Sequence, residues 1–576
     1  MKSADTVTAR SLVCDIVTRY PEHVAIECGS ESLTYRQLWE AAGSVAAQLL
    51  QNPLHRPDGL VAVLFARGIP GIVAQLGVWR SGAAYLPLDP GLPMARISSI
   101  LDDAEADLVL TQEDLKSRLL PGTPAEVTVS AGPGAAPLED CDGAAAYVIY
   151  TSGSTGTPKG VCVGPSSLAN LLTWHRQTYN TGPGIRVAAF AGLGFDASVW
   201  EVWATLGNGG TLVLPPDRIT ADIDAVRDFL DDNAINHCFL STPLAEQLFA
   251  APRPPESLQV LLTGGDRLRL YPPKSFPAAV FNHYGPTEAT VVTTASMDLR
   301  VAHGHTFPAI GRPIAGAAVR LSTDSGASIT EVGVAGELLI GGEILANGYH
   351  RDEALTQKNF APDTQGLTWY HTGDICRWTA SDELEFVERR DTQVSLRGHR
   401  IELAEIEQEI MKVDGVAQAS VVFKDDQDGG ALLGFFSGNS DEVSIRAHLQ
   451  TFLPRYMLPA AVHHTESMPL NANGKIDRAL LMANVPDIEQ APAANIEALS
   501  TTAERIARTW AEVLGRAPEP TDNFFEIGGH SLMAARVTGQ VRKEFGIALE
   551  LGVIFDSPVL TEYAQRVDEL ARSIEG

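Results

Sequence analysis

The sequence predicts an α/β protein with a large layered N-terminal core, a smaller α+β unit after it, and a short helical bundle at the end. Three observations carry this. Short β-type runs alternate with helical segments from the start to about Arg390. A stretch with Pro486, Pro492 and several alanines, Ala483–Leu499, lacks periodicity and reads as a linker. From Thr501 the apolar spacing is helical almost to the end.

The β-type runs of the core include Gly59–Phe65, Ala106–Leu110, Gly210–Leu214, Leu258–Leu262 and Leu384–Val387. A second unit opens with Gln393–Gly398 and the helical run Ala404–Val413, and extends to about Leu481. In the final segment, Thr502–Leu514 sets Ile506, Trp510 and Val513 at helical spacing, and Ser531–Phe545 does the same with Leu532, Ala535, Val541 and Phe545. Asp556–Ser557–Pro558 caps a last helix to about Ser573. The expected domains are thus 1–390, 391–483, a linker over 484–500, and a small bundle over 501–576.

Composition narrows the function. A chain of 576 residues is too long for one core. A net charge of −28 repels nucleic-acid backbones and anionic membranes, so neither is expected as a partner. No apolar run approaches the ~18 residues of a membrane span, and the N-terminus lacks a signal-peptide core. The six cysteines are scattered without metal spacing, which fits reduced thiols and a cytoplasmic protein.

The run Tyr150–Val161, YTSGSTGTPKGV, gathers small residues, hydroxyls and one cation. Its glycines let backbone N–H groups approach an anion, and Ser152, Ser154, Thr155 and Thr157 can donate to phosphate oxygens. It is not a Walker loop, because Pro158 stands where that motif needs glycine. Composition alone leaves a plain turn open.

The run resembles the signature loop of the adenylate-forming superfamily, which includes acyl-CoA synthetases, luciferases and the adenylation domains of nonribosomal peptide synthetases. Further motifs similar to that family follow in family order: LTYRQL (Leu33–Leu38), RSGAAYLPLDP (Arg80–Pro90), FDAS (Phe195–Ser198), NHYGPTE (Asn282–Glu288), GELLIGGEILANGY (Gly336–Tyr349), YHTGD (Tyr370–Asp374), the stretch Arg389–Glu407, LPRYMLP (Leu453–Pro459) and NANGKID (Asn471–Asp477). The terminal DNFFEIGGHSL, Asp522–Leu532, resembles a peptidyl carrier (thiolation) domain. Departures from the pattern are Pro165, Glu388, Ser395 and Ala404.

The resemblance implies an adenylate-forming fold with a four-helix carrier bundle, and it implies roles. Thr151, Ser152, Gly153, Ser154, Thr155 and Lys159 would hold ATP phosphates, Tyr284 would stack on adenine, and Thr287 would meet the α-phosphate. Asp374 would take both ribose hydroxyls, Arg389 would lie near ribose and phosphates, and Glu288 would hold Mg²⁺ as a hard oxygen ligand. Lys475 would be the catalytic cation between carboxylate and α-phosphate, where negative charge gathers. Asp196 would pair with a substrate α-ammonium, which marks amino-acid activation. Aligned by motif, the side-chain pocket is Asp196, Ala197, Trp200, Phe239, Leu262, Gly264, His283, Val291, Val292 and Lys475. That largely apolar lining suits valine or leucine. Ser531 would carry 4′-phosphopantetheine, attached by a phosphopantetheinyl transferase, and Asp391 would be the hinge of the small subdomain, with Gly398 near the incoming thiol.

The expectation is a free-standing adenylation–thiolation didomain, since no condensation domain fits before residue 30 and no thioesterase follows Gly576. It would use ATP and Mg²⁺, load an amino acid on its own carrier, and hand it to a condensation or tailoring enzyme in trans. Any need for a small activator protein stays open. The rival readings are an acyl-acid:CoA ligase and a non-catalytic carrier scaffold. Asp196 and the carrier oppose the first, and intact Lys159, Asp374, Glu288 and Lys475 oppose the second.

Overall fold

The computed structural model describes residues 7–119, 126–128, 144–153, 157–216, 219–301, 307–396, 398–424, 430–470, 476–483, 501–514, 517–524, 527, 529, 531–547, 549, 553–554 and 557–575. They belong to two compact units. The first comprises Met1–Asp217, Arg227–Glu405 and Thr451–Tyr456; the second comprises Arg218–Val226, Ile406–Gln450 and Met457–Gly576.

The first unit is layered, as the alternation of strands and helices requires. One sheet of nine strands carries six neighbouring parallel strands: Ala279–Tyr284, Val260–Gly264, His237–Ser241, Arg186–Ala188, Thr211–Leu214 and Val24–Cys28. A seven-stranded sheet holds Leu60–Leu64 and Ala84–Leu88 as fully buried parallel neighbours. Strands buried on both faces read as continuous apolar runs, which is why LVAVL and AYLPL lack alternation. A third sheet pairs Thr368–Trp378 with Ala335–Gly342 and Leu384–Arg389. One large apolar cluster runs through the unit, with Tyr35, Trp79, Tyr85, Tyr147, Trp200 and Trp203 among its members.

Pro165 opens the helix Pro165–Tyr179, where a missing N–H costs nothing because the first turn has no intrahelical acceptor. Ser395 lies on the hairpin Gln393–Leu396/His399–Glu402, and its hydroxyl donates to the Gly265 carbonyl.

In the second unit, Val416–Lys424, Ala431–Gly438 and Ala461–His464 form a three-stranded sheet over Val422, Leu433, Phe435, Met468 and Leu481. The helices Thr501–Leu514, Ser531–Phe545 and Leu560–Glu575 enclose a separate core around Ile506, Trp510, Phe524, Val541 and Tyr563. Trp510 and Phe524 meet edge-on with centroids 4.8 Å apart. Ile506, Trp510, Val513 and Val541 are buried as their spacing predicts, and Phe545 packs beside them. The side chains of Leu532 and Ala535 and the expected linker over 484–500 lie outside the described residues. Among the described residues no helix is long and apolar enough to cross a membrane.

Candidate active site

The phosphate-type loop joins two antiparallel strands, Tyr147–Thr151 and Lys159–Val163, with Thr151 directly opposite Lys159. A Cβ on Gly153 would lie 1.9 Å from the Thr157 carbonyl oxygen, so only glycine lets the loop close on itself. The Thr151 hydroxyl is buried and has no hydrogen-bond partner. An orphaned buried donor beside a cation suits an anionic ligand. Ser152 donates to the Arg400 carbonyl at 2.8 Å. Ser154 and Thr155 lie outside the described residues.

Lys159 reaches the fully buried Glu288. Its Nζ donates to Glu288 Oε1 at 2.9 Å, the Tyr349 hydroxyl donates to the same oxygen at 2.9 Å, and Arg400 Nη1 donates to Oε2 at 2.8 Å. Burial alone would raise the Glu288 carboxyl, but Arg400 and Lys159 hold it well below the usual carboxylate range. An ionised carboxylate is a hard oxygen donor of the kind Mg²⁺ takes, and the two cations beside it suit the negative charge of a polyphosphate.

Asp374 and Arg389 are register partners on adjacent antiparallel strands. Arg389 Nη1 donates to Asp374 Oδ1 at 2.6 Å, and Nε and Nη2 grip both oxygens of Asp391 at 2.8 Å. Tyr284 donates its hydroxyl to Asp374 Oδ2. Burial raises the Asp374 carboxyl and Arg389 counters it, while Asp391 is held low by the same guanidinium despite its own partial burial.

Asp196 begins the helix Asp196–Leu206, after Phe195 as the capping residue. Ala197 and Trp200 follow on that helix, with Trp200 four residues on and so on the same face as Asp196. The Thr287 hydroxyl donates to Asp196 Oδ2 at 2.7 Å. Burial raises the Asp196 carboxyl.

Three parallel strands bring further predicted lining residues together. Phe239 pairs with Leu262, and Ser241, Gly264 and His283 form the row two residues on. Strand side chains alternate faces, so Phe239, Leu262, Gly264 and His283 share one face of the sheet. Trp200 meets Phe239 at 5.8 Å and His283 at 5.1 Å between ring centroids, both nearly edge-on. A Cβ on Gly264 would lie 2.5 Å from the His283 carbonyl oxygen, which forbids any side chain there.

Val291 and Val292 come from the loop after Glu288. Val292 donates its N–H to the Thr290 carbonyl at 2.8 Å, and Val291 at the centre of this three-residue turn has φ +71°. Left-handed backbone is an outlier for a β-branched residue, and such strain gathers at ligand sites.

Lys475 lies outside the described residues, as does the side chain of Ser531, whose backbone begins the helix Ser531–Phe545. Sequence reasoning missed Arg400 and Tyr349 as partners of Glu288. Both stand in family-like motifs, but nothing in the spacing pointed them at a carboxylate 112 and 61 residues away.

The chain matches the AMP-binding enzyme family over residues 15–350, the AMP-binding enzyme C-terminal domain over 405–475 and the phosphopantetheine attachment site over 504–567. It is 37% identical over 589 residues to a linear gramicidin synthase polypeptide of Brevibacillus parabrevis, an alignment covering 98% of this chain and 11% of that protein. It is 36% identical to phosphinothricin tripeptide synthetase PhsC of Streptomyces viridochromogenes, covering 97% of this chain and 53% of that one. The chain therefore spans only part of these relatives' length. Among solved structures, holo-PA1221, an NRPS protein containing adenylation and PCP domains bound to a vinylsulfonamide inhibitor, has a TM-score of 0.82 at 28% identity and 98% coverage of both chains.

Proposed function

Because this chain belongs to the AMP-binding enzyme family and carries a phosphopantetheine attachment site, we propose that it activates a branched aliphatic L-amino acid, valine or leucine, as the aminoacyl adenylate and loads it on its own carrier. The observation that carries the amino-acid reading is Asp196, a carboxylate raised by burial at the start of a helix whose next turn presents Trp200. A buried carboxylate without a cation is unfavourable, so its natural complement is a positively charged group on the ligand. Trp200, Phe239 and His283 crowd the far wall, which favours a short branched side chain over phenylalanine.

In this reading Lys159, Glu288 and Arg400 hold MgATP phosphates, Asp374 and Arg389 hold the ribose, and Lys475 steadies the charge that builds as carboxylate attacks the α-phosphate. The arm on Ser531, when attached, supplies the accepting thiol. Release to a condensation or tailoring enzyme would follow. The test is pyrophosphate exchange across the twenty L-amino acids, expected to peak at valine or leucine with leakage between them, since one methylene separates them by only ~1–3 kcal/mol. A peak at phenylalanine, or exchange with acids lacking an α-amino group, would refute the pocket.

Asp391 serves as the hinge. Asp391→Pro is expected to keep most pyrophosphate exchange, less what the lost Asp391–Arg389 ion pair costs, yet lose carrier loading, matching Ser531→Ala. Parallel loss of exchange and loading in Asp391→Pro, read by intact-protein mass, would remove the hinge from that position.

A further inference from the structure

Behind Trp200 and His283 lie two buried chains of hydrogen bonds that no part of the adenylation chemistry uses. Next to the two rings, their donors and acceptors can be assigned from groups that act in one way only. The Thr263 carbonyl can only accept, so the His283 Nδ1 at 3.2 Å carries the proton and Nε2 is left as an acceptor. The Tyr179 hydroxyl, 2.6 Å from that Nε2, is then the donor. The Trp200 indole can only donate, at 3.1 Å to His175 Nδ1, so His175 carries its proton on Nε2 and donates it to Thr181 Oγ1 at 2.9 Å. Thr181 Oγ1 also lies 3.2 Å from His237 Nδ1. The bonds to His283 and Trp200 are satisfied with His283 and His175 neutral. Burial agrees, pushing His175 down to about 3 and His237 and His283 to about 4.

Tyr179 and His175 lie four residues apart on the helix Pro165–Tyr179, so one helix face supplies the partner of both pocket rings. Trp174 of the same helix packs edge-on against His283 at 6.2 Å and Tyr179 at 5.6 Å. His283 thus has both nitrogens engaged, by Thr263 and by Tyr179, and what remains of the ring is carbon. A histidine held in this way is an apolar wall.

We propose that Tyr179 is a specificity-determining positioning residue. By donating to His283 Nε2 it satisfies the only acceptor on that ring and holds it turned away from the substrate, and so makes the pocket reject hydroxyl-bearing side chains isosteric with its substrate. His175 plays the same part for Trp200 by capturing the indole N–H. The inference rests on His283 and Trp200 lining the substrate pocket, as proposed above.

The test uses the full chain, with pyrophosphate exchange measured on valine and its isostere threonine. Tyr179→Phe keeps the ring but strands His283 Nε2. KM for valine should rise about tenfold, and the valine-to-threonine preference in kcat/KM should narrow by about tenfold, while kcat and KM for ATP stay near the parent values. On a His283→Leu background the same change should do nothing further, because its partner is gone. A Tyr179→Phe effect that persists undiminished in that background, or one that lowers kcat and raises KM for ATP together, would mark a general packing role and overturn the proposal. An unchanged preference in Tyr179→Phe would do so too. His283→Leu alone separates the two layers of argument. If it leaves the profile of accepted amino acids unmoved, the lining is wrong and the proposal falls with it. If it shifts the profile while Tyr179→Phe does not, only the role of Tyr179 falls.

Discussion

Glu288→Gln should abolish most pyrophosphate exchange and lower the unfolding temperature at the same time. The carboxylate is fully buried between Lys159, Arg400 and Tyr349. Neutralising it strands two cations in the interior. Breaking a buried pair by removing one partner typically costs about 3–5 kcal/mol, because the remaining charge is uncompensated. In the proposed reading the same substitution takes away a hard oxygen donor for the metal, so exchange should fall about 10²–10³-fold. The acid limb supplies a check. Since the folded carboxyl is held low, its contribution is complete above the unfolded value near ~4.3 and is lost as pH falls through the folded value. The gap in unfolding temperature between parent and variant, followed by calorimetry, should therefore be full at pH 7 and close only in strong acid. A gap that is the same at every pH would mean that the ion pairs are not its source.

Asp196→Ala should lose as much activity and yet unfold at a higher temperature. Asp196 accepts from Thr287 but faces burial that raises its carboxyl, the opposite direction from Glu288. An acid whose folded pKa lies above its unfolded value subtracts stability once pH passes the unfolded value, so removing it relieves the fold at pH 7. Losing the proposed pairing with an α-ammonium should lower kcat/KM for the amino acid about 10²–10³-fold, the equivalent of about 3–4 kcal/mol. KM for the amino acid in the parent should also climb as pH falls through the raised value, because the pairing requires the ionised form. Asp196→Asn should flatten that profile. A lowered unfolding temperature in Asp196→Ala, or an unaltered KM–pH profile in Asp196→Asn, would assign the residue to the fold instead.

The sequence showed the elements better than their ends. Gly59–Phe65 is a strand, though it spans Leu60–Leu64, and Ala404–Val413 is a helix that spans Leu403–Met411. The last helix begins at Leu560, later than its capping run suggests, because Val559 first bridges to Asn523. Local spacing cannot register a contact 36 residues back. The residues Asp196, Glu288 and Asp374 were legible because each sits in a short run similar to a family motif. Their partners were harder to see. Arg400 on Glu288 and Tyr179 on His283 are joined across 112 and 104 residues by tertiary packing alone, which no periodicity encodes.

The tight turn at Val291 bears on how the proposed pocket could acquire a new preference. A left-handed backbone at φ +71° tolerates glycine or asparagine far better than most other residues. Mutational drift at that wall is therefore channelled, since nearly every exchange that enlarges or trims the valine keeps the strained backbone. Phe239 sits on an ordinary parallel strand and carries no such penalty. Adaptive change toward longer or shorter substrates should accumulate first at position 239, and a laboratory library that randomises 291 should be enriched in glycine and asparagine among its folded members.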